Sequence, residues 1–180
     1  MAADLPDRGE TILDTIRARR SVRDFLAEPV PRDVLRQIAA AGQEAPSGCN
    51  MQAKQFVVID DPAVMDRIRP FSGALSNAPA AVVLLIEPKG TAFGEFWVQD
   101  ASAAMENMLL AAVGLGYGAV WVEGALRPQE EKLRKVLGVS NDLRVWAIMP
   151  VGKADVEPTR PAKSAFGEVT HYNRFGERGQ

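Results

Sequence analysis

Apolar residues recur along this chain in two rhythms, and the switches between them mark out helices and strands. Residues 11–20 place Ile12, Leu13 and Ile16 on one helical face, with Thr11 and Asp14 spaced as a capping box with a shortened acid. Glu28-Pro29-Val30-Pro31 breaks that pattern. Pro31 falls where a first helical position belongs, ahead of Val34, Leu35, Ile38 and Ala41, and Gly42 offers a stop. Residues 54–60 read as a strand through Phe56, Val57, Val58 and Ile59, and Asp61-Pro62 then supplies an N-cap and a first-turn proline for Val64, Met65 and Ile68. The run Ala80-Ala81-Val82-Val83-Leu84-Leu85-Ile86 is apolar without interruption, the mark of a central strand covered on both faces. A long helical pattern over 98–115 aligns Ala101, Ala104, Met105, Met108 and Ala112, and its many alanines predict close packing on another helix, of this chain or of another subunit. A strand over 119–122, a helix opened by Pro128 and closed by Gly138, and a strand over 142–151 complete the regular part.

The tail from Gly152 to Gln180 has no apolar period. Phe166, Val169, Tyr172 and Phe175 are scattered among prolines and charges, which predicts an arm that buries its aromatics on a neighbouring subunit. With 180 residues, 47% of them hydrophobic, the chain has the size of one domain with a real core. A formal net charge of -2 gives no overall basic field for nucleic acid. No apolar run is long enough to span a bilayer and no basic leader precedes one, so the chain reads as soluble and cytoplasmic. One cysteine, Cys49, and one histidine, His171, exclude an internal disulfide and make a metal centre a poor reading.

Chemistry concentrates first in Arg19-Arg20-Ser21-Val22-Arg23-Asp24-Phe25. Guanidinium forks match a phosphate in bidentate fashion and the serine hydroxyl adds a compact donor, so the segment reads as an anion cradle. Cations in the last turn of a helix also complement its dipole, so a solvated basic helix end is the competing reading. The segment Ala45-Pro46-Ser47-Gly48-Cys49-Asn50-Met51-Gln52 holds turn formers and small polar groups, either a functional loop or a plain helix-to-strand connection. Gly114-Leu115-Gly116-Tyr117-Gly118 follows a helix and precedes a strand, the reverse of a dinucleotide-binding fingerprint, so a Rossmann reading is rejected. Cys49 has no base nearby in the sequence and reads as a packing residue.

The arginine segment, the 45–52 loop, Asn77-Ala78-Pro79, Asp100 to Ala112 with its Asn107-Met108-Leu109-Leu110-Ala111-Ala112 core, Gly114 to Trp121, Glu123-Gly124 and Glu168-Val169-Thr170-His171-Tyr172-Asn173 stand in an order that resembles the FMN-dependent nitroreductase family nearly end to end. The resemblance implies an α+β fold over residues 1–180: a mainly antiparallel sheet of four chain-supplied strands surrounded by helices, with a C-terminal arm (about 152–180) exchanged in a homodimer. It implies that Arg19, Arg20, Ser21 and Arg23 hold the FMN phosphate and ribityl oxygens, with Lys163, or Arg160 beside it, completing the clamp. Pro46, Ser47, Gly48, Asn50 and Gln52 would reach the flavin edge, largely from the partner subunit, and Glu123 and Gly124 would present backbone near flavin N5. Ala53-Lys54 departs from the proline and aromatic residue usual there and brings a cation close, so Arg23 and Lys54 become candidates for tuning the flavin. His171 and Tyr172 fall at dimer-contact positions. Phe71, Phe93, Phe96 and Trp97 fall in the region that roofs the flavin, as lid or as core.

The activity so implied is ping-pong reduction of a nitroaromatic, quinone or similar planar electron-poor compound, with NAD(P)H as transient donor and no separate nicotinamide fold. Other branches of the superfamily imply the alternatives of dehalogenation or flavin fragmentation. A non-catalytic FMN-binding store or sensor, or a protein-binding surface made by residues 17–23, are the readings outside enzymes.

Overall fold

The structure, a computed structural model, describes residues 5–156 and 158–179; the first four residues, where no leader was expected, lie outside them. Its helices and strands run α1 (Leu5–Ala18), α2 (Arg32–Gln43), β1 (Lys54–Ile59), α3 (Pro62–Ile68), β2 (Ala80–Ile86), a two-residue ladder β3 (Gly90–Thr91) and β4 (Gly94–Glu95), α4 (Trp97–Gly114), β5 (Gly118–Ala119), α5 (Glu130–Leu137), β6 (Arg144–Gly152) and a single turn α6 (Phe166–Val169). The main sheet has four strands in the order β1-β2-β6-β5, and every ladder in it is antiparallel. The α+β architecture expected from the sequence is the one observed.

All seven residues of β2 are buried, and its alternation feeds two cores. Ala81, Val83 and Leu85 pack with Met65, Ile68, Leu75, Leu133 and Ile148 on one face; Ala80, Val82, Leu84 and Ile86 pack with Leu35, Ile38, Met105 and Met108 on the other. A strand sealed on both faces has no use for polar positions, which is why its sequence does not alternate. Opposite it, β6 carries one extra residue: Leu84 pairs with Ala147 and Leu85 with Val145, leaving Trp146 as a bulge.

Several boundaries differ from the sequence reading for identifiable reasons. Helix α1 starts at Leu5, so Thr11 lies inside it rather than at its cap, and Thr15 Oγ1 donates to the Thr11 carbonyl at 2.9 Å. Pro31 is the N-cap of α2, one position earlier than expected. Gly42 does not stop α2 but lies buried within it: a Cβ there would come within 2.8 Å of Met108 Cγ and 2.9 Å of Phe56 Cε1, so this glycine permits α2, α4 and β1 to meet. The expected strand over 119–122 pairs only at Gly118 and Ala119, then again through Val122 and Ile148. The register between them sets Val120 against Pro150, which has no N–H to donate.

Helix α5 is stitched to β6 by Glu130, whose carboxylate accepts from Arg144 Nε at 2.8 Å, Arg144 Nη2 at 2.7 Å and the Val145 amide at 3.0 Å. The Arg144 hydrogen bonds, with its charge and the Val145 amide behind them, hold the Glu130 carboxyl below its usual range against the opposing effect of burial. A carboxyl depressed in the folded state stabilises it above the unfolded pKa of about 4.3, and that contribution is lost as pH falls through the folded value. Urea midpoints should therefore fall less steeply with acidification below about pH 5 in Glu130→Gln than in the parent. Equal slopes would refute the assignment.

Candidate active site

The arginine segment leaves α1 and runs past the end of the sheet. Val22 N donates to the Ala119 carbonyl at 3.0 Å, Leu26 N to the Lys153 carbonyl at 2.9 Å, and Phe25 N to Asn77 Oδ1 at 3.3 Å. Val22 and Phe25 are buried, whereas Ser21, Arg23 and Asp24 between and beside them are exposed. Two close approaches seat the apolar pair: a Cβ on Gly118 would meet Val22 Cγ2 at 2.7 Å, and one on Gly152 would meet Phe25 Cδ1 at 2.9 Å. Backbone and buried side chains thus fix where the exposed ones stand.

Arg19, Arg20, Ser21, Arg23, Arg160 and Lys163 all line one cavity of about 740 Å³. The two readings of the arginines divide among them. Arg20 caps the helix end, its Nη1 donating to the Arg17 carbonyl at 2.6 Å and the Arg19 carbonyl at 2.7 Å, and Arg19 Nε faces Glu106 Oε1 at 3.5 Å. Arg23, Arg160 and Lys163 have no hydrogen-bond or ion-pair partner among the described residues. Three unpaired cations in a concave space whose one carboxylate among the described residues, Glu106, faces Arg19 suit a multiply charged anion.

The 46–52 loop is a second, separate structure that does not line that cavity. Its backbone is strained: Cys49, Asn50 and Gln52 have φ of 51°, 55° and 50°, a region that costs non-glycine residues energy and persists only when the surroundings hold it. What holds it is visible. Gly48 N donates to Asp100 Oδ1 at 2.8 Å, Gln52 N to Ser47 Oγ at 3.1 Å, and Gln52 Nε2 to Asn50 Oδ1 at 3.1 Å. Asp100 is only 6% exposed, and Phe96 lies so close that a Cβ on Gly48 would meet its ring at 2.8 Å. Lys54 Nζ donates to the Ala45 carbonyl at 2.5 Å and the Pro46 carbonyl at 3.3 Å, so this cation secures the loop's start; burial lowers its pKa, opposed by the Asp100 charge. Pro46, Asn50 and Gln52 remain exposed. So does Cys49, which therefore does not pack within its own chain as the sequence suggested.

Glu123 and Gly124 follow the Val122–Ile148 bridge at the sheet margin. The Glu123 carboxylate pairs with Arg127, and its carbonyl accepts from Leu126 N at 2.8 Å; Gly124 is exposed, with no heavy atom within 4 Å of where a Cβ would stand. In the expected roof, Phe71 is buried core, Phe96 packs on Gly48 and Trp97 on Trp146, while Phe93 stands 82% exposed at the tip of the β3–β4 hairpin. Asp100 and Asn77 stood within the family-like motifs, but the sequence assigned neither the anchoring role seen here. Asp100 did leave a signal, an acid on the same helical face as Ala101, Ala104 and Met108.

The model of the nitroreductase family matches residues 16–81 and 72–153. The chain belongs to that family. An Archaeoglobus fulgidus protein that carries the inferred name NADH dehydrogenase/NAD(P)H nitroreductase is 35% identical over 148 residues, covering 79% of this chain and 85% of its own length. A Desulfovibrio desulfuricans nitroreductase, also named by inference and crystallised in complex with FMN, superposes with a TM-score of 0.78 at 28% identity, over 91% of this chain and 97% of that one. An iodotyrosine deiodinase of Haliscomenobacter hydrossis is 27% identical over 168 residues, covering 74% of this chain and 75% of its own. The nitroreductase fold expected from the arginine segment and its companions is therefore the fold found. No helix of the described residues is long and apolar enough to cross a membrane.

Proposed function

We propose that this chain is a single FMN-binding domain that works as a homodimeric NAD(P)H oxidoreductase reducing planar, electron-poor compounds such as nitroaromatics or quinones. The observation that carries it is the cavity where Arg23, Arg160 and Lys163, each without an ion-pair partner among the described residues, line one space with Ser21, in a chain whose relatives include an FMN complex. Those residues fit a phosphomonoester: Arg23 and Arg160 as forks, Lys163 as a point charge, Ser21 as a neutral donor. FMN held by Ser21, Arg23, Arg160 and Lys163 would supply the hydride-transfer chemistry between NAD(P)H and the acceptor.

The chain's own part is binding and orientation. Arg19 and Arg20, tied to Glu106 and to the end of α1, form the fixed floor of the phosphate site. Gly124, with open space before it, offers close backbone approach to a planar ring, and Glu123 is neutralised by Arg127. Asn50 and Gln52 have amide groups suited to the donors and acceptors of a pyrimidine edge, and the strained backbone presents them outward. Since their loop does not line the phosphate cavity of its own chain, we assign it to the flavin of the partner subunit. The dimer has surface to use: Ile12, Leu13 and Ile16 of α1 and Phe166 and Phe175 of the tail are exposed, the last at 93%. The deiodinase relationship supports dehalogenation as the second reading, with the same cofactor site and a different acceptor.

Purified protein saturated with FMN should lose its flavin absorbance within seconds of anaerobic NADH or NADPH addition, and regain it on adding a nitroaromatic or quinone. Flavin that binds but stays oxidised would refute the reductase reading, and failure to bind FMN would refute the site. Dilution below the dimer dissociation constant should release FMN; a flavin-bound monomer on sizing would contradict the shared site.

A further inference from the structure

One lining residue of the phosphate cavity is not what a phosphate alone would select. Glu106 stands among the cations there, on the exposed face of α4. That helix carries no lysine or arginine, so an ionic partner for Glu106 has to come from another element. Among the described residues it is Arg19, whose Nε lies 3.5 Å from Glu106 Oε1. The separation exceeds the roughly 2.7–3.2 Å of an N–H to O hydrogen bond, and Glu106 makes no hydrogen bond among the described residues. Its side chain is 49% exposed, and its oxygens keep their lone pairs.

A carboxylate repels a phosphate, which when fully ionised is itself only an acceptor, so in a site for phosphate alone Glu106 would cost affinity. Its use comes from a ligand that also brings O–H donors. The guanidinium and ammonium groups around the cavity accept nothing, and the Arg17 and Arg19 carbonyls are taken by Arg20 Nη1. Ser21 and Thr159 offer neutral hydroxyls. Glu106 is the charged acceptor among the described lining residues, and an O–H donated to a carboxylate makes a short, strong bond. The lining therefore describes a phosphate monoester that carries hydroxyl groups, with Arg19 beside Glu106 tempering the repulsion between the two anions.

We infer that Glu106 is a specificity-determining residue of this cavity, accepting from a hydroxyl of the ribityl chain. Resting on the FMN reading above, it selects a phosphorylated polyol over phosphate itself.

Glu106→Ala and Glu106→Gln test this with two probes that divide the ligand: riboflavin, which has the hydroxyls and no phosphate, and inorganic phosphate, which has no ribityl chain. Riboflavin binding is read by fluorescence titration, and phosphate binding as the inhibition constant for its displacement of FMN. In Glu106→Ala riboflavin should bind about tenfold more weakly, the loss of one charge-assisted contact. Phosphate should bind as well or better, because the repulsion is gone. Glu106→Gln keeps a neutral acceptor oxygen and should recover part of the riboflavin affinity. Damage to the fold would weaken both probes, so opposite responses belong to the carboxylate, and a loss shared by riboflavin and phosphate would overturn the proposal. Riboflavin bound equally by Glu106→Ala and the parent would overturn it too and leave the FMN reading standing, whereas a parent protein that binds neither flavin would refute both.

Discussion

Replacing Arg23 and Lys163 together by alanine should reduce FMN affinity by about a hundredfold or more while leaving the protein folded. Each removes one charge-assisted contact worth about 1.5–3 kcal/mol, or about ten- to a hundredfold in affinity. Neither side chain has a partner among the described residues to strand, and both are exposed, so their loss leaves no buried charge behind. The segment's position does not depend on them: Val22 and Phe25 remain buried and the Ala119 and Lys153 carbonyls still accept from its backbone. Riboflavin, which has the same ring and ribityl chain but no phosphate, supplies the control. Fluorescence titration should show FMN binding reduced toward the riboflavin value and riboflavin binding unchanged; an equal loss for both ligands would mean the residues act elsewhere than at phosphate.

The same segment shows how far the sequence could be read. Its clustered guanidinium groups and the Ser21 hydroxyl read as an anion cradle, and the all-apolar β2 announced a doubly covered strand. These are local patterns, and local patterns survive translation into structure. What one sequence could not show is which cation is already spent. Arg20 and Arg23 look alike in the chain, yet Arg20 is bound to two carbonyls at the end of α1 and Arg23 has no partner among the described residues, a distinction made by the turn between them. Gly42 illustrates the opposite error. Glycine near the end of a helical pattern reads as a stop, but here contact with Met108 and Phe56, which are distant in sequence, decides its role. Lys54 looked like a cation near the flavin edge, and only the fold reveals that two loop carbonyls hold it.

The second large effect is expected at Asp100, which stands at the head of a family motif that by itself assigns it no role. Three of the four residues from Cys49 to Gln52 sit in the left-handed region, at about 1–3 kcal/mol each by the general cost of such backbone, so the loop keeps its shape only while its anchors hold. The strongest anchor is the buried carboxylate that accepts from Gly48 N. Asp100→Ala removes it and leaves a poorly solvated N–H without its acceptor, a loss of about 2 kcal/mol, which for a chain of this size lowers Tm by about 4–8 °C. Function should suffer more than stability. Freed of Asp100, Gly48 can leave Phe96, the strained residues can relax, and Asn50 and Gln52 lose the fixed direction that a flavin edge requires. Hydrogen exchange should then show faster amide exchange at 48–52 with β2 and β6 unchanged, and FMN affinity should fall for riboflavin and FMN alike, in contrast to the phosphate-site variant. Asp100→Asn keeps an oxygen for Gly48 and should recover most of the affinity. An alanine variant that binds both flavins as tightly as the parent would show that the loop's geometry has no part in holding the ring.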